Sequence, residues 1–285
     1  MYNGGLILEG GGMRGVYTCG VIDCFLDNDI KFSSVYGVSA GAGHGCSYLS
    51  GQRGRAFKAN TDYLKGYDYA GFKTFLKTGS LFNMDLIYNR IPNELLPFDG
   101  EAFDKNPMRF FVSVTSCETG KAEFTEITDY KSQADIIRAS GSLPVISPAV
   151  KLGDKMYYDG GIADSIPVRK SIEDGNLFNV AVLTRDKEYR KTPEHIPYFF
   201  RRKFAKKYPK LLEAMNMRHI VYNETLEFID SEEKAGRLVV IRPKAEVKVG
   251  RADTDIEKLK ALYEDGYRDA MDSLGKISQL FHIEG

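Results

Sequence analysis

The pentapeptide Gly37-Val38-Ser39-Ala40-Gly41 constrains this chain more than any other stretch. An apolar run, Ser34-Val35-Tyr36, leads into it, and the small residues Ala42-Gly43-His44-Gly45 follow. Strand, abrupt turn and helix in that order are the setting in which a G-x-S-x-G serine is held in a strained backbone conformation at the carboxyl edge of a sheet. At Gly37 and Gly41 a Cβ would collide with neighbouring backbone in so tight a turn. A serine that opens a helix also faces free amides and the positive end of the helix dipole. The pattern calls for a sheet with helices packed on it, and it makes Ser39 a candidate nucleophile.

The rest of the chain supplies such a sheet. Branched and aromatic runs predict strands at residues 5–9, 34–38, 109–115, 155–158, 179–184 and 238–241, with 121–125 as an antiparallel neighbour of 109–115. Helical spacing predicts helices over 16–26, 40–50, 53–69, 132–140, 165–172 and 255–280. Residues 71–104, rich in Gly, Pro and Asn, read as short helices and loops. Strands alternating with helices give a parallel or mixed sheet covered on both faces. We expect a single domain over 1–285, with core motifs in 5–185, a basic helical excursion at 186–237, and a last strand and helix in 238–285.

A second glycine-rich element, Gly10-Gly11-Gly12-Met13-Arg14-Gly15, follows the first strand and opens the first helix. Gly10, Gly12 and Gly15 satisfy G-x-G-x-x-G, as in a dinucleotide site. That site also needs an acid at the end of the second strand, where this chain has Val38-Ser39. Free amides beside a serine suit an oxyanion hole instead. A third element, Asp159-Gly160-Gly161, ends a short strand, so its carboxylate falls on the same edge as Ser39; an ordinary Asp-Gly turn is the alternative reading. The histidines, His44, His195, His219 and His282, stand in no context that would complete a triad and have no metal-binding spacing.

These three elements, in this order, resemble the patatin-like phospholipase family, with its G-G-G-x-R-G oxyanion element, G-x-S-x-G nucleophile and D-G-[AG] motif. Ala139-Ser140-Gly141-Ser142-Leu143-Pro144, with Pro148 beyond, resembles the family's A-S-x-x-x-P block. The resemblance covers roughly residues 5–185. It implies a three-layer α/β/α fold with a mainly parallel central sheet, and lipid acyl hydrolysis by a Ser39–Asp159 dyad without histidine, metal or cofactor. In that scheme the amides around Gly10, Gly11, Gly12 and Met13 form the oxyanion hole. Gly15, Gly37, Gly41, Gly160 and Gly161 complete the motifs. Arg14, beside the turn, either attracts a phosphate-bearing substrate or pairs with an acid of the fold. A transacylase and a nucleotide-binding module are the rival functions.

Composition narrows the partners. The net charge is zero, so no global field favours nucleic acid. No run of 18 apolar residues spans a membrane, and the N-terminus lacks a basic n-region, so no signal peptide is expected. Four cysteines without a C-x-x-C pair fit a reduced, cytoplasmic setting. Residues 185–218 carry eleven Lys or Arg against four Asp or Glu. Within them, residues 198–208 mix aromatics with cations, which suits either peripheral contact with a lipid surface or a solvated helix whose aromatics pack inward.

Overall fold

In a computed structural model, which describes residues 1–282, the predicted alternation becomes one mixed sheet. β1 (Tyr2–Leu8) leads through a 3-10 turn (Gly12–Gly15) into α1 (Val16–Asp27). β2 (Phe32–Val38) and α2 (Ala40–Leu49) flank the serine turn, and α3 (Arg55–Thr61) follows. The helix expected to run to residue 69 stops at Thr61; Gly66, at φ 81°, takes a left-handed turn there instead. Next come α4 (Phe72–Thr78), a π-helical segment (Leu86–Leu95) containing Pro92, and α5 (Gly100–Asp104). β3 (Arg109–Ser116), β4 (Ala122–Glu126) and α6 (Tyr130–Ser140) precede the hairpin of β5 (Val150–Leu152) and β6 (Lys155–Asp159). α7 (Val168–Glu173), β7 (Asn179–Val182), α8 (Tyr198–Lys207), α9 (Pro209–Lys234), β8 (Leu238–Ile241) and α10 (Ile256–His282) complete the described chain.

The alternation of side chains along β1 explains the layers. Leu6 and Leu8 bury into a core shared with Val16 and Ile22 of α1, Ala42 of α2 and Leu259 of α10. Ile7 points the other way, onto Val168 of α7 and Tyr222, Leu226 and Ile229 of α9. Each fully buried aliphatic side chain of this kind contributes about 1.5–3 kcal/mol. Helices therefore cover both faces. β3, β2, β1, β7 and β8 are parallel, while β4, β5 and β6 extend the sheet antiparallel.

The register along β3 decides where the site forms. Residues 111–113 of β3 lie between β2 and β4, because Val112 pairs with Gly37 and with Thr125. At Val114 and Thr115 the β4 side continues, and the other side passes to β6. So β6 takes up the edge of β3 that β2 leaves. Val38 pairs with Ser113, and Asp159 pairs with Val114, the next residue. The ends of β2 and β6 meet head-on.

Candidate active site

Ser39 follows β2 with φ 55° and ψ −123°, the strained conformation expected of the turn. A non-glycine residue held there costs about 1–3 kcal/mol and persists only where its surroundings fix it. One such restraint comes from the A-S-x-x-x-P block, since the Ser39 amide donates to Ser140 Oγ at 2.8 Å. The glycine-rich turn lies directly against the serine: a Cβ on Gly10 would stand 2.7 Å from Ser39 Cβ.

Asp159 is 1 % exposed, and its Oδ1 accepts from the Gly161 amide at 2.7 Å. The Ser39 side chain lies near enough to the same carboxyl group to favour its charged form. Burial pushes the carboxyl above the ordinary carboxylate range; Arg218, the Ser39 hydroxyl, the Gly161 amide and Arg251 pull it back in part. The result is a carboxylate more basic than a solvated one, beside a serine.

The amides of Gly10, Gly11 and Gly12 donate to no protein acceptor among the described residues. The Met13 amide, expected with them in the oxyanion hole, is instead committed to the Arg251 carbonyl at 3.0 Å, and the Met13 side chain is buried in the core. Gly12, at φ 57°, is where the turn presses against that same carbonyl. Arg14 lines the cavity with 7 % of its surface exposed, and its Nε is buried without a partner. Burial and the neighbouring Arg185 hold its guanidinium down to about 10.

Three residues without a motif converge on this site. Arg218 of α9 donates through Nε to the Gly161 carbonyl at 2.6 Å, and through Nη1 to both Glu194 oxygens at 3.2 and 3.1 Å. Arg251 donates to Glu194 Oε1 at 2.5 Å, while its carbonyl holds the Met13 amide. Burial alone would raise the Glu194 carboxyl, but Arg218 and Arg251 outweigh it and hold it at about 2. Glu194 thus ties the loop carrying Asp159 to the turn carrying the free amides. Only tertiary packing reveals this clamp; the charge excess of residues 185–218 was its one trace in the sequence.

Ser39, Asp159 and the glycine-rich turn open on one cavity, whose apolar part includes Tyr69, Phe82, Met84, Ile87 and Ile91. His44 also lines it, but burial holds the ring at about 4, and Nε2 meets the Asn60 amide nitrogen at 3.2 Å. With Asn60 as the donor, Nε2 is the accepting nitrogen, and the ring is neutral at physiological pH. His195 and His282 lie exposed on the surface, and His219 is half-buried on α9. Among the described residues no group of three or more His, Cys, Asp or Glu side chains is arranged to hold a metal ion. Nor is any helix among the described residues long and apolar enough to cross a membrane.

A family model described as patatin-like phospholipase matches residues 6–171. The chain belongs to that family. Membership supports a lipid hydrolase in the broad sense, and the three-layer sheet agrees with it. A second model, a domain of unknown function (DUF6363), matches residues 208–282, the segment that contributes Arg218 and Arg251. The chain is 26% identical over 243 residues to the uncharacterized protein YjjU of Escherichia coli (strain K12), covering 84% of this chain and 68% of that protein. Among solved structures, VipD from Legionella pneumophila shares the fold with a TM-score of 0.51 at 14% identity, across 96% of this chain and 67% of that one.

Proposed function

We propose that this chain is a serine-dependent lipid acyl hydrolase working through a Ser39–Asp159 dyad. Ser39 Oγ attacks the ester carbonyl carbon as Asp159 takes the hydroxyl proton. The tetrahedral oxyanion forms against the Gly11 and Gly12 amides, whose hydrogen bonds strengthen as charge develops. Collapse expels the alcohol, which leaves with the proton from Asp159, and an acyl-enzyme remains on Ser39. Water then attacks the acyl carbon as the same carboxylate takes its proton, and collapse breaks the bond to Ser39 Oγ, which recovers that proton as the fatty acid leaves. The observation that carries this reading is the meeting of β2 and β6 on one edge of β3, which brings a strained serine and a buried carboxylate together beside unbonded amides. The apolar side of the cavity suits an acyl chain.

We take the substrate to be an acyl ester of a lipid, met at a membrane surface by a cytoplasmic protein, with no nucleic-acid partner. Support for the surface contact comes from α8, where Tyr198 and Phe199 are 76 % and 72 % exposed beside exposed Arg201, Arg202 and Lys203. Phe204 and Phe200 of the same helix pack inward, against Tyr158 and Leu211.

Fluorophosphonate labelling tests the chemistry. Covalent addition at Ser39 is expected, with labelling and hydrolysis of p-nitrophenyl esters both lost in Ser39→Ala. Labelling that survives the substitution would overturn the assignment.

A further inference from the structure

One end of the cavity holds more positive charge than the fold neutralises. Its lining includes Arg14, Arg185, Lys191, Arg218 and Arg251, against the carboxylates of Glu9 and Asp159. Arg218 and Arg251 are held by Glu194. Among the described residues neither Arg14 nor Arg185 forms an ion pair with a carboxylate; each has a buried Nε without a partner, and the charge of Arg185 acts against that of Arg14. Lys191, its side chain 8% exposed, reaches Glu194 only at 4.0 Å.

Glu9 lies close enough to favour the charged forms of Arg14 and Lys191, but its oxygens accept from neutral donors and it forms no ion pair with either among the described residues. Oε2 accepts from the Thr184 amide at 2.5 Å and the Thr184 hydroxyl at 3.0 Å, and Oε1 accepts from the Tyr222 hydroxyl at 2.7 Å. Aromatic faces hold the cations in place without cancelling their charge. The Arg185 guanidinium lies 4.4 Å from the Tyr189 ring centre, and Lys191 Nζ lies 4.6 Å from that of Tyr222. Drawing charge out of water without a counterion is costly, so cations gathered in this way around an open cavity favour the binding of an anion.

The position agrees. β1 and β7 are adjacent, but β2 follows β1 on one side of the sheet and β8 follows β7 on the other. Their carboxyl ends flank the point where the winding order reverses, the usual crevice for a ligand in such sheets. Arg14 follows β1, and Arg185 and Lys191 follow β7.

We propose that Arg14, Arg185 and Lys191 form a subsite for a phosphate group in the same cavity as Ser39. Guanidinium forks match phosphate oxygens bidentately, and a lysine adds a point charge. The hydrolase reading matters here only for which molecule carries the phosphate, an acyl lipid's head group or a free phosphate.

The test uses full-length protein with Ser39→Ala, so that binding is measured without turnover. Inorganic phosphate, titrated at ionic strength matched with sodium chloride, should raise the melting temperature saturably. Calorimetry should show its dissociation constant weakening at least tenfold on adding Arg185→Gln, and likewise on adding Lys191→Gln. Without phosphate Lys191→Gln should melt no lower than the parent, because it removes a buried charge whose carboxylate partner stands 4.0 Å away. Arg185→Lys, which keeps the charge and loses the fork, should bind with intermediate affinity. A short-chain phosphatidate below its micellar concentration separates the sources: binding tenfold tighter than phosphate identifies a lipid head group, and equal binding identifies free phosphate. Absence of saturable phosphate binding, or equal affinity in parent and variants, overturns the subsite. Failure of the fluorophosphonate to label Ser39 would remove the hydrolase reading alone.

Discussion

At the scale of single residues, Asp159 in the proposed dyad carries opposing demands. A carboxylate that takes a proton from serine must be more basic than a solvated one, and burial makes it so at the expense of the fold. The sign follows from linkage. The native state favours protonated Asp159 more than the unfolded chain does, so stability falls as pH rises from the unfolded value of about 3.9 through the raised native one. Asp159→Asn should therefore lower kcat/KM by about 10²–10⁴-fold, the usual contribution of a general base. The same variant should melt higher than the parent at pH 8, with the difference shrinking towards pH 3.5; scanning calorimetry at the two pH values checks this. In the parent, the acid limb of kcat/KM should fall above the ordinary carboxylate range. Equal melting of parent and variant at pH 8 would remove the burial argument.

Among elements, α8 divides its aromatics between two tasks. Phe204 anchors it to a cluster with Tyr158 and Leu211, and Tyr198 and Phe199 stay exposed beside five exposed Lys and Arg. Each cation near an anionic leaflet contributes about 1 kcal/mol, and salt screens it. Sedimentation with phosphatidylserine vesicles should weaken as salt rises, and the joint change of Arg201, Arg202 and Lys203 to Gln should lower binding at least tenfold. Binding to neutral vesicles as strong as to anionic ones would count against an electrostatic contact. The same helix shows what a sequence can disclose. Its composition announced a basic, aromatic element, but which ring turns inward depends on the partners that α9 and β6 bring. The serine turn, the glycine-rich turn and Asp159-Gly160-Gly161 were legible because each demands particular residue types over three to six neighbouring positions. Arg218, Arg251 and Glu194 were not, for the opposite reason. Arg251 meets Glu194 across 57 positions, and no local rule marks either one. The π-helical segment was equally hidden, because its Pro92 reads as a break rather than as a wider helical turn.

For the whole molecule, the segment matched by the second family model is structural before it is anything else. α9 covers Ile7, Tyr36 and Ala181 with Tyr222, Leu226 and Ile229, and α10 packs along α1, where Tyr17 donates to Asp269 at 2.9 Å. A chain ending at residue 207 would expose both faces. It should be recovered as aggregate, or without a cooperative thermal transition by circular dichroism; a truncated chain that melts cooperatively near the full-length temperature would show that residues 1–207 fold unaided. The proposed dyad depends on something narrower. Val38 and Asp159 answer to consecutive residues of one strand, so the spacing of nucleophile and base is set by the strand's own rise, about 3.3 Å per residue. It behaves as a gauge cut into the backbone. Loops, lids and head-group pockets can be exchanged around such a gauge with the working distance unchanged, which is how one scaffold could serve many esters.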